Sequence, residues 1–245
     1  HMGGDEVEKA NWKKCPLCQK RIRTEKLGSV EELQAWFVRD MEKFFLANGK
    51  KLIGWDEVVT DGLSSDAAIT WWRSWAKDAL PTATAQKQKV IVCPNEYFYF
   101  DYAQDQNSVK KILAYDPCAD ERLSPEEKKY IWGVQANLWT EYIATFSHAQ
   151  YMVLPRWAAL CEVQWSTPDK KNYEDFLSRL PRLIKWYDAE GYNYAKHVFD
   201  VKAEFTPNPA DGTLDITLTT IDNAPIHYTL DGTEPTSTSP VYDGA

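Results

Sequence analysis

The sequence predicts an α/β fold with a parallel sheet, followed by a smaller antiparallel β module. Segments with helical periodicity alternate with short runs that are apolar throughout, and such runs are typical of parallel strands covered on both faces. Beyond about residue 201, apolar and polar residues alternate with a period of two, and Pro, Gly and Asp stand at the turns. We therefore predict one unit over residues 1–200 and a second over residues 201–245.

The first long helix is predicted from residue 29 to residue 48. Ser29 and Glu32 form a capping box, apolar residues recur at helical spacing, and Asn-Gly ends the pattern. A helical turn is predicted at residues 124–127. Three longer helices are predicted in WAKDALPTATAQKQK, HAQYMVLPRWAALCEVQW and NYEDFLSRLPRLIKWYDAEG. Proline should break the first of these near Pro81 and bend or restart the other two at Pro155 and Pro181.

The strands of the first unit are predicted in the apolar runs between these helices. They are GGDEV, KKLIGWDEV, AAITWW, KVIVCP with the following YFYFDY, and IWGVQANLW. About five strands are too few to close an eight-stranded barrel. The second unit has VKAEFTP, LDITLT and IHYTLDGTEP as strands and then stops with its edges uncovered. We therefore expect the polypeptide to be cut at both ends.

Composition limits the classes of function that are open to this chain. Its 245 residues carry a formal charge of −8 and no dense stripe of Lys or Arg, which argues against a nucleic-acid partner. No run approaches the roughly 18 consecutive apolar residues of a membrane span. The 11 Trp, 13 Tyr and 9 Phe exceed what packing alone explains, and they indicate a surface that stacks a flat, partly apolar ligand.

The cysteines do not define a disulfide framework or a metal centre. Their number is five, so they cannot all pair within one chain. Cys15 and Cys18 form CPLC, which would be half of a zinc site, but no second CxxC follows and the four histidines are scattered. A local disulfide and two free thiols both stay open. We predict no metal and no cofactor.

Three predicted strand ends share a ring and a carboxylate two residues apart. The pairs are Trp55 with Glu57, Tyr99 with Asp101, and Trp139 with Glu141. Residues two apart on a strand point to the same face, and ligands bind at the carboxyl ends of parallel strands. Rings can lie against the C–H face of a sugar while carboxylates accept hydrogen bonds from its hydroxyls. The three pairs therefore predict a carbohydrate site.

Asp5 and Glu6 follow two glycines, which let the backbone pack closely at the end of a strand. Two adjacent acids in a ring-lined pocket can be driven to different pKa values by burial and mutual repulsion. One then stays ionised while the other holds a proton, as the general acid of glycoside cleavage must. We predict this pair as the catalytic acids.

Several motifs of this chain also carry a resemblance to a known enzyme family. GGDEV, GWDEV, ITWWR, YFYFDY, GVQANLWTE and PRWAALCEVQW follow one another in this order. The ordered set resembles the catalytic domain of glycoside hydrolase family 20, the β-N-acetylhexosaminidases, over residues 1 to about 200. The tail, with IHYTLDGTEPTSTSPVY, is similar to a small β module often found after such domains.

The resemblance implies a fold and a set of catalytic roles. The family has a (β/α)8 TIM barrel, so the chain is expected to hold a partial barrel, from the end of strand four to strand eight, and then a truncated antiparallel β-sandwich-like module. Glu6 matches the general acid/base, and Asp5 matches the residue that orients the substrate's own 2-acetamido group, whose carbonyl oxygen is the nucleophile. Tyr99 matches the hydroxyl donor to that oxygen.

The resemblance also implies the residues that bind the sugar. Trp55, Trp72 and Trp139 match the aromatic walls around the acetamido methyl and the sugar ring, and Asp101 and Glu141 match the acids that hold its outer hydroxyls. Trp72 is preferred to Trp71 because the family strand ends with Trp-Arg. The expected substrates are β-glycosides that end in N-acetylglucosamine or N-acetylgalactosamine.

Two alternatives to a hydrolase were weighed. A non-catalytic protein that binds N-acetyl sugars on the same barrel stays open. A GGDEF-type nucleotide cyclase is disfavoured because Val7 stands where that motif has Phe. From the resemblance we further expect an extracytoplasmic location, and we expect residues 1–245 alone to be inactive because strands one to four are missing.

Overall fold

Four short parallel strands form the central sheet of the computed structural model, which describes residues 1–60, 62–210, 212–221 and 224–244. The strands are β1 (Ile53–Trp55), β2 (Ala68–Trp71), β3 (Lys89–Val92) and β4 (Ile131–Val134). They pair in the order β1-β2-β3-β4, every neighbouring pair being parallel. The predicted parallel sheet is confirmed.

The N-terminal residues extend this sheet beyond β1. The Met2 amide donates to the carbonyl of Ile53 at 2.9 Å, and the Trp55 amide donates to the carbonyl of Gly3 at 3.1 Å. The segment therefore hydrogen-bonds like a further strand, although it is not a regular one. Gly4 has a φ of +101°, and a Cβ built there would lie 2.3 Å from Val58 Cγ1, so only glycine fits this approach.

Helices surround the sheet. They are α1 (Ala10–Lys14), α2 (Pro16–Thr24), α3 (Val30–Ala47), α4 (Ala79–Ala85), α5 (Asn95–Phe98), α6 (Val109–Ala114), α7 (Phe146–Val153), α8 (Arg156–Trp165) and α9 (Tyr173–Glu190). The hydrophobic core lies where strands meet helices, for example at Ile69, Val90, Ile112, Leu160 and Leu180. No helix in the described ranges has the length and apolar character that crossing a membrane requires.

The predicted start of α3 is confirmed by its cap. Ser29 Oγ accepts a hydrogen bond from the Glu32 amide at 3.1 Å. In a standard capping box the Glu32 carboxylate would accept a hydrogen bond from the Ser29 amide. Here it accepts from the amide of the preceding residue, Gly28, at 2.9 Å. Ser124 makes the same capping contact with the Glu127 amide, and the helical turn predicted there continues as a 3₁₀ turn over Glu127–Tyr130.

The three predicted proline effects have different outcomes. Pro155 separates α7 from α8, as expected. Pro81 lies in the first turn of α4, where a missing amide hydrogen costs no helical bond, so the predicted break there is wrong. Helix α9 runs continuously through Pro181, so the chain does not restart at that proline.

The ring–acid pairs do not lie on strands, which corrects the geometry predicted for them. Strand β1 ends at Trp55 and the next three residues form a 3₁₀ turn, in which the Asp56 carboxylate is buried against Arg73. YFYFDY is not a strand either. Pro94 begins the short helix α5, and Tyr99 then pairs with Asn137 in an isolated parallel bridge beyond β3 and β4.

The C-terminal residues form a separate antiparallel ladder of β5 (Lys202–Asn208) and β6 (Thr213–Thr219). Nearly all of its side chains are exposed. IHYTLDGTEP, predicted as a third strand, instead makes an isolated bridge between His227 and Val241. Parts of the predicted module lie outside the described residues, namely Asp211, Asp222, Asn223 and Ala245. The boundary at residue 201 stays a prediction.

Candidate active site

Four aromatic side chains predicted for the site meet at the carboxyl end of the parallel sheet. The ring centroids of Trp55 and Trp139 are 5.8 Å apart, those of Tyr99 and Trp139 are 6.3 Å apart, and those of Tyr99 and Trp72 are 6.0 Å apart. Trp72 and Tyr99 are stacked, with 23° between their planes. The sequence therefore identified rings that lie together. Trp55 ends strand β1, whereas Trp72, Tyr99 and Trp139 lie outside the four strands.

Burial differs across this ring cluster of Trp55, Trp72, Tyr99 and Trp139. Trp55 and Tyr99 are each 8% exposed, whereas Trp139 is 41% exposed. Burial raises the pKa of the Tyr99 phenol well above its ordinary value, so its hydroxyl stays protonated. A buried phenol next to a half-open indole can donate a hydrogen bond to a ligand that enters from the open side.

Asp101 and Glu141 stand at the rim of the ring cluster. Asp101 Oδ1 accepts a hydrogen bond from the Trp139 amide at 3.4 Å. Partial burial raises the pKa of Asp101, and the nearby charge of Glu141 adds to this effect. Glu141 itself is exposed. The two carboxylates are close enough to interact and both can reach solvent, which suits them to accept hydrogen bonds from hydroxyl groups.

Glu6 lines a cavity together with Trp72, while Asp5 stands exposed one residue earlier. Both side chains are exposed, so the burial predicted for the acid pair is not observed: the chain leaves the sheet after Gly4, and Glu6 itself has a φ of +47°. Glu6 and Trp72 line the same cavity of about 610 Å³. The carboxylate of Asp5 forms no hydrogen bond to Trp55, Trp72, Tyr99 or Trp139 among the described residues. The shared cavity lining therefore associates Glu6 with Trp72.

Asp56, Glu57 and Arg73 form a charged network that was not predicted from the sequence. Arg73 Nε lies 3.0 Å from Asp56 Oδ2 and 3.5 Å from Glu57 Oε1. Glu57 Oε2 accepts a hydrogen bond from Trp72 Nε1 at 3.0 Å, and Glu57 Oε1 lies 3.5 Å from the Glu6 amide nitrogen, which donates to it. Glu57 therefore connects the backbone of Glu6 to the indole of Trp72.

A signal for this network was present in two of the motifs. GWDEV and ITWWR end neighbouring parallel strands, β1 and β2, so their acids and arginine come to the same edge of the sheet. The sequence pattern pairs Glu57 only with Trp55, as a sugar-facing acid. Its contacts show that this carboxylate instead faces Trp72, Arg73 and the backbone of Glu6.

Burial raises the pKa of Asp56 to about 6, with a smaller contribution from the charge of Glu57, while Arg73 opposes both. The folded chain thus holds this proton more tightly than the unfolded chain, whose carboxyl has the ordinary pKa of 3.8. The resulting stabilisation is fully present below about pH 4 and is lost as the pH rises through about 6, by up to about 3 kcal/mol.

Urea unfolding between about pH 4 and pH 7 tests this expectation for Asp56. The free energy of unfolding of the wild type, minus that of Asp56→Asn, should fall across the range, because the amide does not titrate. A difference that stays constant with pH would contradict the raised pKa.

His1 is a further side chain that was not assigned to the site. Its ring centroid lies 5.0 Å from that of Trp55, and its Nε2 lies 3.4 Å from the hydroxyl of buried Thr70.

Cys15 and Cys18 are free thiols. Over residues 1–60, 62–210, 212–221 and 224–244, no cluster of three or more His, Cys, Asp or Glu could hold a metal ion.

Two protein-family models match stretches of the chain. A family model described as the glycosyl hydrolase family 20 catalytic domain matches residues 1–168. A second model, described as Fn3 associated, matches residues 216–245.

Individual relatives agree with this match. The chain is 35% identical to a β-hexosaminidase of Porphyromonas gingivalis, over 99% of this chain and 32% of that protein. A family 20 exo-β-N-acetylglucosaminidase of Vibrio harveyi, solved in complex with N-acetylglucosamine, has a TM-score of 0.72 and 31% identity, over 80% of this chain and 32% of that one. A β-N-acetylhexosaminidase structure from Bacteroides fragilis has a TM-score of 0.68 and 30% identity, over 80% of this chain and 42% of that one. The chain spans about a third of the length of the curated relatives it matches.

Proposed function

The chain belongs to glycoside hydrolase family 20, and we propose that its protein hydrolyses terminal, non-reducing N-acetylhexosamine residues from β-glycosides. The observation that carries the proposal is the ring cluster at the carboxyl end of the sheet, with Asp101 at its rim and Glu6 beside Trp72. The fold is an α/β fold of the TIM-barrel type. Within it, we propose that β1–β4 are strands five to eight of the barrel and that residues 2–4 end strand four.

In the proposed reaction, the substrate supplies its own nucleophile. Glu6 gives its proton to the glycosidic oxygen as the bond to the anomeric carbon breaks, and the acetamido carbonyl oxygen bonds to that carbon. Asp5 orients the acetamido group and stabilises the positive charge of the oxazolinium ion, while the Tyr99 hydroxyl donates to the acetamido oxygen. Water then opens this ion, Glu6 takes a proton from the water, and the anomeric configuration is retained.

The same proposal gives the ring cluster its part in choosing the substrate. Trp55, Trp72 and Trp139 surround the acetamido methyl and the sugar ring, and Asp101 and Glu141 accept hydrogen bonds from the outer hydroxyls. The stacked rings and the two rim carboxylates support these roles. A relative bound to N-acetylglucosamine has a similar fold, which supports the same class of ligand for this site.

Three 4-nitrophenyl glycosides test the proposed function in the full-length protein. It should release 4-nitrophenol from the N-acetyl-β-glucosaminide or the N-acetyl-β-galactosaminide, and not from the plain β-glucoside, because the glucoside lacks the acetamido nucleophile. Hydrolysis of the glucoside at a similar rate would contradict the substrate-assisted mechanism. Binding of N-acetylglucosamine without any turnover would favour the non-catalytic sugar-binding protein.

We also propose an extracytoplasmic location, which the family resemblance supports. Cell fractionation of the natural host followed by immunoblotting tests it. Recovery of the protein in the cytoplasmic fraction alone would contradict this location.

A further inference from the structure

Two free thiols stand together at the start of helix α2. Cys15 is the N-cap of this helix, Pro16 is its first residue, and Cys18 lies in its first turn. Both cysteines are partly exposed. We propose that they form a redox-active pair that exchanges with small-molecule disulfides, with Cys15 as the attacking thiol and Cys18 as the resolving thiol. This inference does not depend on the proposed glycosidase function.

The spacing of the two cysteines permits a disulfide. Residues three apart along a helix have Cα atoms about 5 Å apart, inside the range of roughly 4.4–6.8 Å that disulfides span. Cys15 has the extended backbone of a cap, with φ of −72° and ψ of 119°, and the ring of Pro16 fixes the turn that follows. The backbone therefore holds the two thiols at a separation that one disulfide bridges.

The two thiols differ in acidity. The backbone amide and the thiol of Cys18 each donate a hydrogen bond to the Cys15 sulfur, and both bonds lower the pKa of Cys15. The same side-chain contact raises the pKa of Cys18. The stretch KKCPLCQKR carries four basic residues and no acid, and positive charge near a cysteine favours its thiolate. Cys15 is therefore the better nucleophile of the pair.

The other cysteines are poorly suited to this exchange. Burial raises the pKa of Cys93 to about 12, and it also raises the pKa of Cys118 and that of Cys161. None of these three has a second cysteine within three positions along the chain. They are internal controls for the pair in CPLC.

The exchange with glutathione disulfide consists of two substitutions at sulfur. The Cys15 thiolate attacks one sulfur of glutathione disulfide, so that a bond from Cys15 to glutathione forms and one glutathione thiolate leaves. The Cys18 thiolate then attacks Cys15 Sγ, and the second glutathione leaves. The two protein thiols are oxidised to a disulfide, and glutathione disulfide is reduced to two thiols, which take up the two protons.

Cys18 also lines a cavity of about 830 Å³ that is open to such a reactant. Lys20 and Arg21 line the same cavity and bring positive charge towards the carboxylates of glutathione. Gly4 and Val7, which flank the acid pair, line it as well. The exchange site therefore adjoins the segment that carries the acid pair.

Peptide mass spectrometry of the full-length protein tests the pair. The protein is equilibrated in buffers of reduced and oxidised glutathione, quenched with acid, alkylated with N-ethylmaleimide and cut with trypsin, which releases both cysteines in CPLCQK. As the share of oxidised glutathione rises, this peptide should lose both maleimide groups together and become lighter than the dithiol peptide by about 2 Da. The peptide with Cys161 should keep its maleimide at the ratio at which CPLCQK is half oxidised.

Two single variants test the order of attack. In Cys18→Ser the amide of residue 18 still donates to Cys15, so a stable glutathione adduct should form at Cys15. In Cys15→Ser the adduct at Cys18 should form more slowly. An adduct that forms at Cys18 as fast as at Cys15 would overturn the assigned order. A wild-type peptide that keeps both maleimides, or that ends as a mixed disulfide with glutathione, would overturn the pair itself. None of these results depends on hydrolysis of a glycoside.

Discussion

Glu6→Gln should lower kcat for N,N′-diacetylchitobiose by about 10²–10⁴-fold, the usual contribution of a general acid. The amide keeps the shape of the side chain but has no acidic proton to give to the glycosidic oxygen. Because Glu6 is exposed and only its backbone amide contacts Glu57, the substitution should leave the fold and the position of Trp72 intact. Steady-state kinetics with the full-length enzyme give the measurement.

The leaving group provides an internal check on this role. A sugar alkoxide is a poor leaving group and needs protonation, whereas 4-nitrophenolate departs with little help. In Glu6→Gln, cleavage of the glycosidic bond should therefore be slowed far more for the disaccharide than for the 4-nitrophenyl glycoside. For the aryl glycoside, a pre-steady-state burst of nitrophenol measures the rate of this step. Glu190→Gln, an exposed carboxylate at the end of α9, is the matched control and should behave as wild type. Equal slowing on both substrates would show that Glu6 is not the acid.

Asp5→Asn separates the two acids of the GGDEV motif. In the proposed mechanism it should slow turnover of both substrates, because the acetamido group loses its orienting partner regardless of the leaving group. Asp5 is exposed, and this prediction rests on the family match. Unchanged turnover by Asp5→Asn would remove Asp5 from the mechanism and leave Glu6 in place.

The fold could be predicted where local patterns decide it. The apolar runs at β1–β4 are buried parallel strands, and the capping residues of α3 stand where the sequence indicates. The predictions were wrong where they extended strands beyond the hydrogen-bonded parts of the sheet. YFYFDY has strong β-propensity, but Pro94 begins a helix there, and the Asn107 amide holds the carbonyls of Asn95 and Tyr99. A tertiary contact of this kind leaves no local sequence pattern.

The candidate site was predictable in its rings and not in its charges. Trp55, Trp72, Tyr99 and Trp139 gather because each stands at the end of a parallel strand, in the bridge between Tyr99 and Asn137, or just beyond one of these. The burial of Asp56 depends on the register between β1 and β2, which brings Arg73 to within 3.0 Å. In the sequence, Asp56 and Glu57 are indistinguishable from a solvated Asp-Glu pair, and only the packed structure separates the buried ion pair from the carboxylate that holds Trp72.

Arg156 is a second charged residue whose burial the sequence does not reveal. Of the substitutions considered, its removal should have the largest effect on stability. Nothing in PRWAALC marks this arginine as buried, yet it is completely buried in the first turn of α8. It donates to the carbonyls of Met152 at 2.8 Å and Tyr102 at 3.0 Å, and also to that of Phe100. Its guanidinium carbon lies 4.9 Å from the Phe100 ring centroid. Arg156 therefore fixes the backbone on both sides of Asp101.

Arg156→Leu should lower the free energy of unfolding by about 3–5 kcal/mol, because several buried carbonyls lose their donor and no water replaces it. Burial lowers the pKa of Arg156 to about 10, so the side chain is still charged at neutral pH and the lost bonds are charge-assisted. Arg156→Lys keeps a charge and fewer donors in a different geometry, so its loss should be intermediate. Urea unfolding of the full-length protein measures all three forms.

The matched control is Arg182→Leu, since Arg182 is exposed on α9, where such a change should stay within about 0.5 kcal/mol. Loosening the segment around Asp101 should also raise KM for the disaccharide in Arg156→Lys more than it lowers kcat, because in the proposed mechanism Asp101 holds hydroxyl groups and takes no part in bond cleavage. If Arg156→Leu does not fold, Arg156→Lys alone tests the role of Arg156. Its KM should rise, and amide hydrogen exchange at Phe100 and Tyr102 should become faster. Wild-type stability in Arg156→Leu, or wild-type KM and exchange in Arg156→Lys, would show that the carbonyls find other donors and that Arg156 does not hold the Asp101 segment in place.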